Sequence, residues 1–115
     1  MGGVKPDLEL KVRTEASRQA LRKAGGAWLK DLRKKAGLTQ QELATRIGFN
    51  YYTYVAQIEG GFSKLPPASM EKWAAAVGIS AGELARQLLF YYEPELYHLL
   101  FETRKTPRRV RSVKR

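Results

Sequence analysis

The stretch from Gly37 to Gly61, GLTQQELATRIGFNYYTYVAQIEGG, restricts the fold more than any other part of the chain. Thr39 stands three residues before Glu42, the spacing of a capping box. In that arrangement the hydroxyl and the carboxylate each satisfy a backbone N–H at a helix start. A helix is therefore predicted from about Gln40 to Ile47, with Leu43, Ala44 and Ile47 forming a narrow apolar stripe. Gly48 stops it, because glycine takes a positive φ at little cost. Asn50 is the expected N-cap of a second helix, about Tyr51 to Glu59, with Tyr51, Val55 and Ile58 on its core face. Gly60 and Gly61 end that helix.

Two such helices joined by a three- or four-residue glycine turn form a helix-turn-helix. The second helix directs Asn50, Tyr52, Thr53, Ala56 and Gln57 away from its core face. That outward face is polar but uncharged. Solvent-facing helix surfaces are usually rich in Lys and Glu, and neither occurs between Gly48 and Ile58. An α-helix fits the major groove of DNA, where Asn, Gln and Thr side chains hydrogen-bond base edges. An ordinary helical hairpin with a polar outer face is the alternative.

The segment resembles the Cro/phage-repressor (XRE) family of DNA-binding domains. The matching residues are Leu32-Arg33, Gly37-Leu38-Thr39-Gln40, Glu42-Leu43-Ala44, Ile47-Gly48, and Ile58-Glu59 followed by Gly61. The resemblance runs over roughly residues 28–84. It implies a five-helix domain whose third helix enters the major groove, usually as a two-fold dimer on a palindromic operator. It also implies that Arg33 and Glu59 pair as a structural tie, and that Gln40 touches a phosphate beside the free N–H groups of a helix start. One departure stands out. Glu59 stands eleven positions after Gly48, where the family usually has ten, so one residue is inserted in the turn or at the start of the second helix.

Net charge is +10, and its distribution matters more than its size. Residues 1–35 hold ten Lys/Arg against four Asp/Glu, residues 36–103 four against seven, and residues 104–115 seven against none. Cationic ends flanking a slightly acidic centre suit a polyanion, and double-stranded DNA fits best. Lys34, Lys35 and Lys64, together with Arg104, Arg108, Arg109 and Arg111 of the tail, are the expected backbone contacts beside Gln40. Lys34 and Lys35 also suit a helix C-terminus, so DNA is not required to explain them.

The expected organisation is all-α. Residues 1–24 form an arm that is in part helical, residues 25–86 the five-helix repressor-like domain, residues 87–103 an aromatic helical extension, and residues 104–115 a basic disordered tail. Gly25-Gly26 is either a break or lies within one long helix that continues to Ala36. The first domain helix offers Trp28, Leu29 and Leu32 to the core. A later helix, about Ala68 to Val77, offers Met70, Trp73, Ala74 and Val77, and Ser80 to Glu83 is a second capping box. The extension LLFYYEPELYHLLF carries more apolar surface than an exposed tail would. Leu88, Phe90, Tyr91, Leu96, Leu100 and Phe101 are therefore expected between the subunits of a homodimer, folding back on the first helix being the alternative.

The chain has no Cys and one histidine, His98, so neither a disulfide framework nor a thiolate metal site is expected, and no cofactor is implied. No paired carboxylates, nucleophile–base pair or phosphate loop suggests an enzyme. No apolar run approaches about 18 residues, and a cytoplasmic, nucleoid-associated protein is expected. The leading expectation is a sequence-specific transcriptional regulator, most simply a dimeric repressor. The alternative is an antitoxin-like protein that holds a toxin through its C-terminal segment and regulates its own operon.

Overall fold

A computed structural model describes residues 16–102. Six helices make up this region: α1 (Arg18–Lys35), α2 (Gln40–Arg46), α3 (Thr53–Glu59), α4 (Pro67–Val77), α5 (Ala81–Tyr92) and α6 (Pro94–Phe101). No strand occurs among the described residues. The all-α expectation holds.

The core gathers around Trp73, with Leu29, Leu43, Val55, Ile58, Leu65, Leu84 and Leu88 fully enclosed. Each helix brings one apolar stripe to it. Leu29 comes from α1, Leu43 and Ala44 from α2, Val55 and Ile58 from α3, Trp73 and Val77 from α4, and Leu84 and Leu88 from α5. Trp28, Leu32 and Met70 are half-buried at its margin. The loop residue Leu65 is as enclosed as any helical one, and it ties the segment after α3 into the interior.

Helix α1 runs unbroken through Gly25 and Gly26. Both glycines are buried, and their lack of side chains is what lets α1 sit where it does. A Cβ on Gly26 would overlap the backbone of Glu59 and lie 2.8 Å from the Ile58 carbonyl oxygen. A Cβ on Gly25 would lie 2.9 Å from the Tyr91 Cβ. The end of α3 and the second half of α5 therefore meet α1 at adjacent residues. The glycine pair is a contact point between helices, not a hinge.

Helix α5 is capped by Ser80, whose hydroxyl accepts from the Glu83 N–H at 3.1 Å. It extends to Tyr92, and its second half serves the protein's own core. Leu88, expected at a subunit interface, is 0% exposed within its own chain. Tyr91, expected beside it, is half-buried against Trp28, with ring centroids 6.2 Å apart, and against Gly25. Folding back on the first helix thus accounts for Tyr91, and the chain's own core for Leu88. Tyr92 is buried as well, and its hydroxyl accepts the Leu65 N–H at 3.0 Å. Burial pushes the Tyr92 phenol above its ordinary value, the hydrogen bond from Leu65 opposing this in part.

Glu93 departs from helical geometry, and Pro94 opens α6, where its missing N–H costs nothing. No residue of α6 is buried. It lies along α5 through a run of rings: Phe90 edge-on to Tyr97 at 5.4 Å, then Tyr97 against Phe101 at 4.9 Å. Leu96 and Leu100, one turn apart, are 45% and 59% exposed.

Candidate nucleic-acid interface

The start of α2 carries the expected capping box. The Glu42 N–H donates to Thr39 Oγ1 at 3.0 Å, and the Thr39 N–H donates to Glu42 Oε1 at 2.8 Å. Its end is closed by Gly48 at φ +94°. There the Phe49 N–H reaches the Ala44 carbonyl at 2.8 Å and the Gly48 N–H the Thr45 carbonyl at 3.1 Å, a Schellman closure. The same closure recurs at the end of α3. Gly61 sits at φ +82°, with Gly61 N–H to Ile58 O and Phe62 N–H to Gln57 O.

Between these closures the structure departs from expectation. Helix α3 begins at Thr53, so residues 47–52 form the turn, longer than the three or four residues expected. The turn gains what the helix loses, since α3 starts two residues later than the expected Tyr51. Asn50 is not the N-cap. That position belongs to Tyr52, which makes no side-chain cap bond. The Asn50 carbonyl instead accepts from Gln41 Nε2 at 3.1 Å, which binds the turn to α2. Tyr51, expected in the core, is 73% exposed, because the longer turn removes it from the register of Val55 and Ile58. The aromatic that packs here is Tyr54. It stacks on Phe49 with centroids 3.8 Å apart, and its hydroxyl lies 3.3 Å from Ser69 Oγ.

The outward face of α3 and its approach hold Asn50, Tyr52, Thr53 and Gln57, all exposed, with Ala56 half-buried between them. Tyr52 is 50% exposed. The one charged side chain of α3, Glu59, is turned inward and is 7% exposed. Arg33 Nε donates to Glu59 Oε2 at 2.7 Å and Arg33 NH2 to Glu59 Oε1 at 3.0 Å, a two-point fork. The remaining guanidinium nitrogen, NH1, donates to the Leu38 carbonyl at 2.8 Å. Gln40 Nε2 donates to Glu59 Oε1 at 3.0 Å. One buried carboxylate thus ties together the end of α1, the start of α2 and the end of α3. Its negative charge is balanced inside the domain, so it opposes no anion approaching α3.

The Gln40 amide is therefore engaged inside the protein, leaving one of its two N–H bonds for any phosphate. Lys34 and Lys35 lie exposed at the end of α1, with Lys35 Nζ 3.6 Å from Asp31. Lys64 is engaged at the end of α5. Its Nζ lies 3.3 Å from Glu93 Oε2 and 5.8 Å from the centre of the Tyr92 ring. Arg104, Arg108, Arg109 and Arg111 fall outside the described residues. Sequence reasoning turned Tyr51 inward and passed over Phe62, yet these two aromatics at opposite ends of α3 are each 73% exposed. A Phe directly after a glycine pair was the available signal for the second.

A backbone closed twice by glycine, a shallow uncharged face and a buried tie behind it describe a helix built to be presented. Residues 26–88 match the model of a helix-turn-helix domain family. The chain belongs to that family. A helix-turn-helix domain of this kind is typical of XRE-like regulators, and DNA binding and transcription regulation follow from membership. The family is typically non-enzymatic. The match begins inside α1 at Gly26 and ends at Leu88, so it takes in the glycine contact with α3 and most of α5. A comparison with curated proteins found no match. Among the described residues no helix is long and apolar enough to cross a membrane.

Proposed function

We propose that this helix-turn-helix protein is a sequence-specific repressor that binds a palindromic operator as a dimer, with α3 in the major groove. The observation that carries this reading is the uncharged, exposed face of α3, set off by burial of its single carboxylate. Thr53 and Gln57 supply hydroxyl and amide groups suited to base edges, and the Gln57 amide suits adenine. Tyr52 offers a hydroxyl and a ring, Ala56 permits close approach, and Asn50 stands at the leading end. Lys34, Lys35 and the cationic ends supply sequence-independent attraction to phosphates. Half-sites in such a dimer lie about 34 Å apart, one helical turn.

The dimer contact is assigned to the exposed stripe of Leu96 and Leu100 on α6, flanked by Phe90 and Phe101. Leu88 and Tyr91 act from behind, by fixing α5 beneath it. The same stripe favours a second reading, in which α6 holds a toxin and regulation of the operon is secondary. A stable homodimer that buries Leu96 and Leu100 would argue against that.

Selection of bound sites from random duplexes tests the main reading, since motif, symmetry and half-site spacing emerge together. Thr53→Ala and Gln57→Ala should each relax preference at one or two base positions by roughly tenfold. Unchanged preference in both variants would remove direct readout by α3.

A further inference from the structure

We infer that Phe62 is a specificity contact of the DNA surface, an apolar probe for the C5-methyl group of a thymine beyond the C-terminal end of α3. The inference rests on the major-groove reading above. The loop after α3 does not leave the helix freely. The N–H groups of Phe62 and Ser63 both donate to the Gln57 carbonyl, at 3.0 and 3.2 Å. This folds the loop back against the backbone of Gln57, the residue whose side-chain amide is assigned to base reading.

Two glycines set the ring's position. Gly61 is buried at φ +82°, where a Cβ would lie 2.9 Å from Lys23 Cα, so the loop backbone is seated against α1. Gly60 has an ordinary helical φ of −82° and needs glycine for space alone. A Cβ there would lie 2.9 Å from both Cδ2 and Cε2 of Phe62. The ring thus rests on the bare backbone of Gly60 while 73% of the residue stays exposed. With the inner side of the loop occupied by α1, the ring stands outward at the end of the reading helix.

An exposed phenyl ring so held offers no hydrogen bond. Of the groups a duplex presents in its major groove, the thymine methyl is the apolar one. Burying a methyl group beneath the ring corresponds to about a fourfold gain in affinity. Phe62 would therefore add preference for T at one position per half-site, outside those read by Thr53 and Gln57.

The test uses the full chain and its selected duplex, with each dT replaced in turn by dU, which removes only the methyl group. Wild-type protein should lose about fourfold at one position per half-site. Phe62→Ala should bind the dT and dU duplexes equally there, while keeping its sensitivity at positions read by α3. Gly60→Ala keeps the ring but displaces it, and should likewise blunt the dU effect. Absence of sequence preference in wild-type protein would sink the major-groove reading itself. Sequence preference with no Phe62-dependent dU position would sink this inference alone. So would a uniform loss of affinity in Phe62→Ala, pointing to sugar contact, or a change of oligomeric state with the dU response intact, pointing to subunit contact.

Discussion

Gly26 is where two expectations about one residue conflict, and replacing it by alanine tells them apart. Alanine has the highest helix propensity, and Gly→Ala inside a helix is worth up to about 1 kcal/mol in favour of folding. Position 26 lies near the middle of α1, so propensity alone predicts a gain. The structure predicts the opposite. A Cβ there meets the backbone of Glu59 and the Ile58 carbonyl oxygen at 2.8 Å, neither of which is the flexible end of a side chain. Relief requires α1 and α3 to move apart, and overpacking of this kind costs about 1–3 kcal/mol. Rigid backbone on both sides argues for the upper end. Subtracting the propensity gain leaves a net loss of about 2 kcal/mol, or roughly 10 °C in Tm for a domain of this size. Gly82, in the first turn of α5, is the control, since a Cβ there meets nothing within 4 Å. Gly82→Ala should keep Tm unchanged or raise it. Thermal unfolding followed by helical circular dichroism reads both variants. A Gly26→Ala protein as stable as Gly82→Ala would show that α1 and α3 do not meet through bare backbone.

Removing Arg33 strands the Glu59 carboxylate, and Arg33→Ala should cost about 3–5 kcal/mol in urea unfolding. Arg33→Lys should restore only part of this, because one ammonium cannot reproduce the fork to Glu59 and the bond to Leu38 together. Equal stability of Arg33→Ala and a double Arg33→Met, Glu59→Leu variant would contradict the stranded-charge explanation. Tyr92→Phe should cost about 1–3 kcal/mol by leaving the buried Leu65 N–H without its acceptor. The raised phenol of Tyr92 also ties stability to alkaline pH. The native state holds this proton more tightly than the unfolded chain, so the contribution is complete below a phenol's usual value of about 10 and fades as pH climbs through the folded one. Tyr92→Phe should lack that part of the alkaline decline, and identical pH profiles would refute the linkage.

What the sequence settles by itself is local. The Thr39–Glu42 and Ser80–Glu83 caps, the stop at Gly48 and the first-turn prolines of α4 and α6 all act within a few residues. Their chemistry is complete in the string, so helix type and much of each boundary could be read there. The apolar stripe of α4 was legible because its periodicity needs no partner to be seen. The Arg33–Glu59 tie entered through family resemblance, since 26 residues separate the two and no local pattern links them. Tertiary structure decided the rest. It decided that Gly25-Gly26 joins helices instead of breaking one, because the decisive atoms belong to Ile58, Glu59 and Tyr91. It sent Leu88 and Tyr92 inward and left Leu96 and Leu100 outward, although all four lie in one apolar run. It turned Tyr51 out and brought Tyr54 against Phe49, because the turn runs on to Tyr52 and α3 starts only at Thr53. Hydrophobicity specifies that a side chain be covered but not by which element, and that choice is made only when distant parts of the chain meet.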